Sequence, residues 1–430
     1  MSNSKVLVIA YYWPPSGGSG VQRWLKFVKY LPSFGWKPYV FTPANPSFEL
    51  KDESLLNDVP PEAEVIRFPI WEPYGLFNSL SGKKEKTSGA LVQREKKSLV
   101  GKLSILIRGN FIIPDPRVFW VRPSVRFLKE YLKKNQIETI ITTGPPHSIH
   151  LIGLRLKNAN PSLKWIADFR DPWSEWGLLD SLQVGSVARG LHRRLERKVL
   201  QRADEVITIT PFYVNQFSRL GGRKVELLTN GFDESDFKNF SLKKSDRFLV
   251  RHIGIVNEKC DPRPFMKAVA ELCYRNEELR KAITVEFVGT VHPAFKEFVQ
   301  MDPVMSSFTV FTNPVPHKAL MDIYATSAVT VLILHGYKDA EGYMPGKLFE
   351  YIATGLPVLG VGPANGDAAT ILDQGQNGKM FDHTDGNGIM GFLENCFLNW
   401  KNAATPAQKT ISSFSRKALT ESLVRLISKS

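Results

Sequence analysis

Cysteine is scarce: Cys260, Cys273 and Cys396 are the only three in 430 residues, and they show neither metal-ligand spacing nor a redox pair. This excludes a disulfide framework and fits a reducing compartment, with the three thiols serving as packing groups. Long apolar runs are also missing. The nearest, Ala328 to Leu334, is the length of a strand and well short of the ~18–20 apolar residues of a spanning helix. The polar MSNSK runs straight into a strand pattern without a signal-peptide layout, so a cytoplasmic location is expected. Acidic residues are in deficit, 42 against 56 Lys and Arg, for a net charge of +14. Such an excess calls for an acidic partner: nucleic acid, an anionic membrane surface or phosphorylated substrates. The basic residues are dispersed and no nucleic-acid-binding motif is present, which argues against the first. A paired-Asp metal motif is lacking as well, and no resident metal or permanently bound cofactor is expected.

What is present is a soluble, globular composition, 43% apolar and 23% charged, in a chain long enough for two or three domains at about 100–200 residues each. Lys5 to Tyr11 is a continuous apolar strand, followed by the loop YWPPSGGSG, a helix from Val21 to Phe34 and a strand from Lys37 to Thr42. This is the opening of a doubly wound domain, in which ligands sit at the carboxyl ends of the strands. A redox-dinucleotide fingerprint competes, but Val21, Gln22 and Arg23 follow Gly18-Ser19-Gly20 where a third Gly or Ala is needed. The second strand also ends in Thr42-Pro43 instead of a ribose-binding acid. The α/β rhythm resumes at Ile137 to Thr143, with a helix from His147 and a strand Lys164 to Ala167 leading into DFRDPW. A basic helix over Val187 to Arg202, two further strands and a polar hinge at Phe240 to Arg247 complete a first domain, residues 1–240. A second series, residues 241–405, runs from strand Phe248–Val256 through a helix Pro264–Leu279 and strands at Ile283, Phe308, Ala328 and Leu356. The tail, residues 406–430, has helical apolar spacing (Ile411, Phe414, Leu419, Leu423, Leu426) and is expected to cross back to the first domain.

Two stretches break the pattern. Lys83 to Ser98 is charged and poor in apolar residues, as a mobile excursion would be. Lys102 to Arg126 mixes basic residues with Ile, Leu, Phe and Trp. That composition suits either a membrane interface, with aromatics at headgroup depth, or a buried loop and helix start with basic edges.

The organising stretch is Glu341 to Gly360, EGYMPGKLFEYIATGLPVLG. Pro345 suits the first position of a helix, Gly355 suits a left-handed cap, and Leu356 to Val361 reads as a buried parallel strand. Lys347 and Glu350, three apart, share a face. The free amides of Gly346 and Lys347, the helix dipole and the Lys347 ammonium together make an anion site fit for a diphosphate. Glu350, one turn on, can accept from a pair of hydroxyls. An ordinary surface helix with a salt-bridged Lys and Glu is the competing reading.

In this order, PPSGGSGVQRW (14–24), TTGPPHS (142–148), LTNGFD (228–233), HIGIVNEKCDPRP (252–264) and MPGKLFEYIATGLPVL (344–359) resemble the GT-B glycosyltransferases. Specifically, they are similar to the large retaining, nucleotide-sugar-dependent family that includes many bacterial envelope and capsule polysaccharide transferases. The resemblance spans nearly the whole chain. It implies two Rossmann-like domains facing a cleft, the first on the acceptor side and the second binding the donor, a nucleotide diphosphate sugar. It implies that Gly17 and Gly18 approach the donor diphosphate, that Arg263 with Lys347 and Gly346 binds it, and that Glu350 takes the ribose. His147 would lie by the donor sugar, and Glu341 would stand in for a carboxylate usually found one residue later, where this chain has Gly342. Ile255 occupies the place of an expected first Arg. Asp168 or Asp171 would hold acceptor hydroxyls and Arg170 an acceptor phosphate, with a structural Asp–Arg pair as an equal competitor. The implied acceptor is a saccharide or lipid-linked saccharide, met at the inner face of the cell membrane. A sugar-nucleotide epimerase of the same fold, or less readily a basic nucleic-acid-binding protein, would be the alternatives.

Overall fold

The computed structural model describes residues 4–47, 51–72, 99–175, 177–336, 340–375, 377–403 and 412–429. The expected excursion Lys83–Ser98 lies outside them, as does Ile411 of the tail. By contact density the chain divides into one unit of Met1–Thr229 with Leu419–Ser430, and a second of Asn230–Ala418. The division falls before the polar stretch that begins at Phe240.

Each unit is a doubly wound parallel sheet covered by helices. The first unit comprises β1 (Ser4–Ile9), β2 (Trp36–Pro43), β3 (Glu64–Phe68), β4 (Thr139–Gly144), β5 (Lys164–Phe169), β6 (Glu205–Thr208) and β7 (Glu226–Leu227), in the spatial order β3-β2-β1-β4-β5-β6-β7. The second comprises β8 (Phe248–Ile253), β9 (Ile283–Val288), β10 (Thr309–Thr312), β11 (Val329–Ile333), β12 (Val358–Val361) and β13 (Gly378–Phe381), ordered β10-β9-β8-β11-β12-β13. The central strands are apolar on both faces because helices cover both. In β1, Leu7 and Ile9 enter one core while Val6 and Val8 enter the opposite one. In β11, Val331 and Leu332 do the same for the second sheet. Leu419, Leu423, Leu426 and Ile427 of the last helix, Arg416–Ile427, pack in the core that holds Val6 and Val8. Cys273 and Cys396 are buried core residues with free thiols.

Three local readings need correction. The helix expected over Pro264–Leu279 is two helices, Arg263–Arg275 and Glu277–Ala282, because the Asn276 side chain accepts from the Leu279 amide and caps the second. The key helix starts at Lys347, not Pro345. Pro345 instead offers its carbonyl to the Leu348 amide (3.1 Å), forming a tight turn in which Gly346 is the cap. The stretch Lys102–Arg126 holds a loop, residues 112–117, and a helix start, and it also takes in a helix before them that was not expected. It spans most of helix Leu99–Phe111 and the first half of helix Val118–Asn135. Gly355 does end its helix in the left-handed region, at φ 73°.

The most constrained point of the first unit is a buried charge. Asp168, at the end of β5, is fully buried and faces Arg23 of helix Ser19–Tyr30, itself 1% exposed. Its carboxylate accepts from Arg23 Nη2 (3.0 Å) and Nε (3.3 Å), from Trp24 Nε1 (2.6 Å) and from Thr143 Oγ1 (2.8 Å). Arg23 also donates to the carbonyls of Leu228 and Thr229, both at 2.8 Å, and so ties the first helix to the end of the unit. Removing one partner of such a pair strands the other charge in the interior, at a cost of about 3–5 kcal/mol. Asp168→Ala is therefore expected to lower the unfolding free energy by about that amount, read from the urea midpoint at unchanged slope. A loss within 1 kcal/mol would show that the pair is not structural.

Candidate active site

Parallel sheets present ligand sites at the carboxyl ends of their strands, where loops and helix starts converge. In the first unit three such loops are joined by one side chain. Arg170, just beyond β5, donates from Nη1 to the Gly20 carbonyl (2.7 Å), from Nη2 to that of Pro145 (2.9 Å) and from Nε to that of Gly144 (3.2 Å). A guanidinium with a planar fork of donors suits such a bracket. Gly18, in the loop so held, has φ 88° and open space where a Cβ would stand, so its backbone is both glycine-dependent and approachable. Gly17 beside it is half-buried.

The structural Asp–Arg pair anticipated in DFRDPW is thus not made by neighbours. Asp168 pairs with Arg23, and Arg170 goes to carbonyls. Asp168 and Arg170 are both consumed inside the unit. Asp171 is half-buried and takes no hydrogen bond from the described residues. Burial pushes its carboxyl above the ordinary range, and Arg170 opposes this only in part.

His147 occupies the cap position of helix Ser148–Ala159 without capping it through its side chain. The cap is supplied from a distance by Asp115, which accepts from the Ser148 amide and hydroxyl, both at 2.8 Å. The His147 ring is 4% exposed and lies parallel to Trp173, with centroids 5.3 Å apart. Trp173 is fixed in turn: Nε1 donates to His192 Nδ1 (3.0 Å) and its amide to Glu196 (3.1 Å). Burial, then the neighbouring His150, holds His147 well below the usual histidine range, so its ring is neutral.

In the second unit the helix Lys347–Thr354 carries the two expected side chains. The amides of Leu348 and Phe349 are used by the turn carbonyls of Pro345 and Gly346, which leaves those of Gly346 and Lys347 at the helix tip. Lys347 reaches back over the end of β8. Its Nζ lies 3.5 Å from His252 Nε2, and a Cβ built on Gly254 would stand 2.9 Å from it. His252 donates from Nδ1 to the Val331 carbonyl (3.0 Å), which leaves Nε2 as an acceptor toward the ammonium. Burial pushes the Lys347 amine down to about 8.

Glu350 is held by two side chains. His317 Nε2 donates to Oε1 (3.0 Å) and the Tyr324 hydroxyl to Oε2 (2.9 Å). Burial favours the neutral acid, but the hydrogen bonds and charge of His317, the Tyr324 bond and the charge of Arg416 outweigh it, and Glu350 stays below its usual range. This is not the exposed Lys–Glu pair of an ordinary surface helix, since neither residue bonds the other.

Two further expected members make no hydrogen bond or ion pair with this group among the described residues. Arg263 starts its own helix, with its guanidinium 5.6 Å from the centre of the Phe298 ring and 3.6 Å from Asp261. Glu341 is exposed in the short turn Ala340–Gly342. His252, His317, Tyr324 and Gly254 were not singled out from the sequence. The HIG at the end of β8 was the available signal for two of them.

Compared with known proteins, residues 17–231, half of the chain, match the model for the glycosyl transferase 4-like domain. No curated protein matches the chain in sequence. Among solved structures, the chain is similar to a glycosyltransferase from Rickettsia africae ESF-5, with TM-score 0.63 and 11% identity over 99% of this chain and 98% of that one. It is also similar to sucrose-phosphate synthase from Thermosynechococcus elongatus, with TM-score 0.61 and 15% identity over 98% of each chain. WaaG, a glycosyltransferase involved in lipopolysaccharide biosynthesis, gives TM-score 0.56 and 14% identity over 99% of this chain and 100% of its own. The match over the first unit, and the two doubly wound sheets shared with these enzymes, mean that the chain belongs to the glycosyl transferase 4-like family and is a glycosyltransferase of the GT-B fold.

Proposed function

We propose that the protein moves a sugar, with retention, from a nucleotide diphosphate sugar to a hydroxyl of a saccharide or lipid-linked saccharide in cell-surface polysaccharide synthesis. The observation that carries the donor assignment is the helix Lys347–Thr354, which sets an amide tip and a partly buried ammonium one turn from an ionised carboxylate. The tip and Lys347 take the diphosphate, and Glu350 takes the ribose. In the first unit Gly17 and Gly18 offer backbone amides to an anion, and in the second Arg263 adds long-range positive charge. On the acceptor side Asp171 is the remaining free carboxylate of DFRDPW. His147 lines the strand-end site of the first unit as a neutral ring, and in the second unit Glu341 contacts the donor sugar from its turn.

Breaking the bond between the anomeric carbon and the phosphate oxygen leaves positive charge on the sugar and negative charge on the departing diphosphate. The acceptor oxygen then bonds the anomeric carbon on the face just vacated, and its proton passes to the departing phosphate oxygen. The products are the extended saccharide and a nucleoside diphosphate, and stabilising that diphosphate is the main electrostatic task.

A lipid-linked acceptor would be met at a membrane, and the first unit carries a surface suited to one. Among the described residues no helix is long and apolar enough to cross a bilayer. Helix Val118–Asn135 instead presents a stripe of Phe119, Arg122, Arg126, Lys129 and Lys133, with Trp71 packed edge-on to Phe119 at 4.9 Å. Arg122, Arg126 and Lys129 share a groove of about 410 Å³ with Arg155. Trp71 and Phe119 are 55% and 46% exposed, an aromatic pair at the head of a cationic row.

Four measurements test these assignments. In a thermal-shift panel of UDP, GDP and ADP, one diphosphate at ~100 times its dissociation constant should add about 2.7 kcal/mol of stability, and Lys347→Ala should abolish the shift. The affinity should fall as pH rises past about 8, where the Lys347 amine loses its proton, and Lys347→Arg should flatten that profile because a guanidinium does not titrate there. A pH-independent affinity would remove Lys347 from the diphosphate site. Release of the nucleoside diphosphate only when a saccharide acceptor is present separates transfer from epimerisation. For the membrane surface, co-sedimentation with vesicles containing phosphatidylglycerol should be lost in Arg122→Glu/Arg126→Glu and in high salt. Undiminished sedimentation of that variant would rule this face out.

A further inference from the structure

The bonds around Glu350 reach further than donor binding in general. The carboxylate is on helix Lys347–Thr354, His317 opens the short turn His317–Ala319 that follows β10, and Tyr324 lies in helix Leu320–Ala325. These are three separate elements, and they meet at one functional group. Tyr324 is fully buried and stands edge-on to Tyr351 at 5.8 Å. The Tyr351 hydroxyl accepts from the Ile253 amide (3.0 Å) and donates to its carbonyl (3.3 Å), so Tyr324 is backed by the end of β8. Glu350 and His317 each keep 20% of their side chain exposed. The carboxylate is therefore gripped from the interior and from one side while its outer edge faces solvent.

An ionised carboxylate accepts only, with about two lone-pair directions on each oxygen. His317 uses one on Oε1 and Tyr324 one on Oε2. One acceptor direction on each oxygen is left, side by side and fixed in orientation. We infer that His317 and Tyr324 are positioning residues that hold Glu350 to read two adjacent hydroxyls at once, and so set the preference of the donor site for ribose over 2′-deoxyribose. This rests on the donor site being at Glu350. A freely rotating glutamate would follow whichever hydroxyl is present. A clamped one leaves an acceptor without a partner when the 2′-hydroxyl is missing, and an unmet polar group costs more than the bond itself returns.

The test is calorimetric titration of the full-length protein with UDP, GDP and ADP, each beside its 2′-deoxy counterpart. The wild type is expected to bind one ribonucleotide at least ~10-fold more tightly than the deoxy form. Tyr324→Phe removes one oxygen and keeps the ring packing, so it should fold, with a melting temperature lowered by no more than the loss of one hydrogen bond. It is expected to bind the deoxy ligand within about threefold of wild type while losing most of the ribose preference. His317→Gln, which keeps an N–H donor, should retain part of that preference, and His317→Ala should lose it. If Tyr324→Phe and His317→Ala discriminate as sharply as the wild type, the inference falls while donor binding stands. A wild type that binds a diphosphate without ribose preference has the same consequence. If none of the three diphosphates binds the wild type, the donor site itself is refuted and the inference goes with it.

Discussion

A carboxylate without access to water must have its charge met by the protein, and in the first unit Asp168 imposes that requirement. Meeting it takes the guanidinium of Arg23, the indole N–H of Trp24 and the hydroxyl of Thr143, drawn from the first helix and from β4. Helix Ser19–Tyr30 is thereby fixed against the ends of β4 and β5, and through Arg23 against Leu228 and Thr229. The glycine loop that precedes this helix inherits its position. Arg170 then ties Gly20, Gly144 and Pro145 together from the other side. The loops at the strand ends are consequently held by two guanidiniums of the protein itself, which is the preorganisation a binding surface requires.

The second unit handles its charges differently. Glu350 has two protein donors where Asp168 has four, and its outer edge remains open. Lys347 has a histidine nitrogen at 3.5 Å and, among the described residues, no carboxylate in an ion pair with it. Buried charges that are fully satisfied hold a structure together, and charges left partly unmet have bonding capacity for something else. By that measure Lys347, Glu350 and Asp171 are available, and Asp168 and Arg170 are not. The distinction is one of remaining hydrogen-bond capacity, and it applies equally to neighbours in DFRDPW that look interchangeable in sequence.

This explains which parts were legible beforehand. Central strands such as β1 and β11 are buried on both faces, so their residues form largely apolar runs that can be read directly. The edge strands β3 and β13 lie at the ends of the two sheets. With Glu64, Arg67 and Lys379 among their residues they give no such run, and they were missed. Helix ends set by the chain itself, such as Gly355, were legible. A cap delivered by Asp115 to Ser148 was not, because nothing local encodes it. Lys347 and Glu350 were found through their spacing on one helix, whereas His252, His317 and Tyr324 come from three other elements and meet that helix only in the fold. The pairing of Asp168 with Arg23 was hidden for the same reason.

One departure from the resemblance has a physical consequence for the site. Where an arginine is implied after β8, this chain has Ile255, 62% exposed. An arginine there would hold its charge at any ordinary pH. Lys347 lies at the helix tip in this chain and is partly desolvated between His252 and the bare backbone of Gly254. Burial brings its amine down to about 8, so the positive charge is conditional on pH. An arriving diphosphate would repay that desolvation and draw the proton back on, because an adjacent anion favours the charged amine. That effect is confined to pH above about 8, since below it the free amine is already largely protonated.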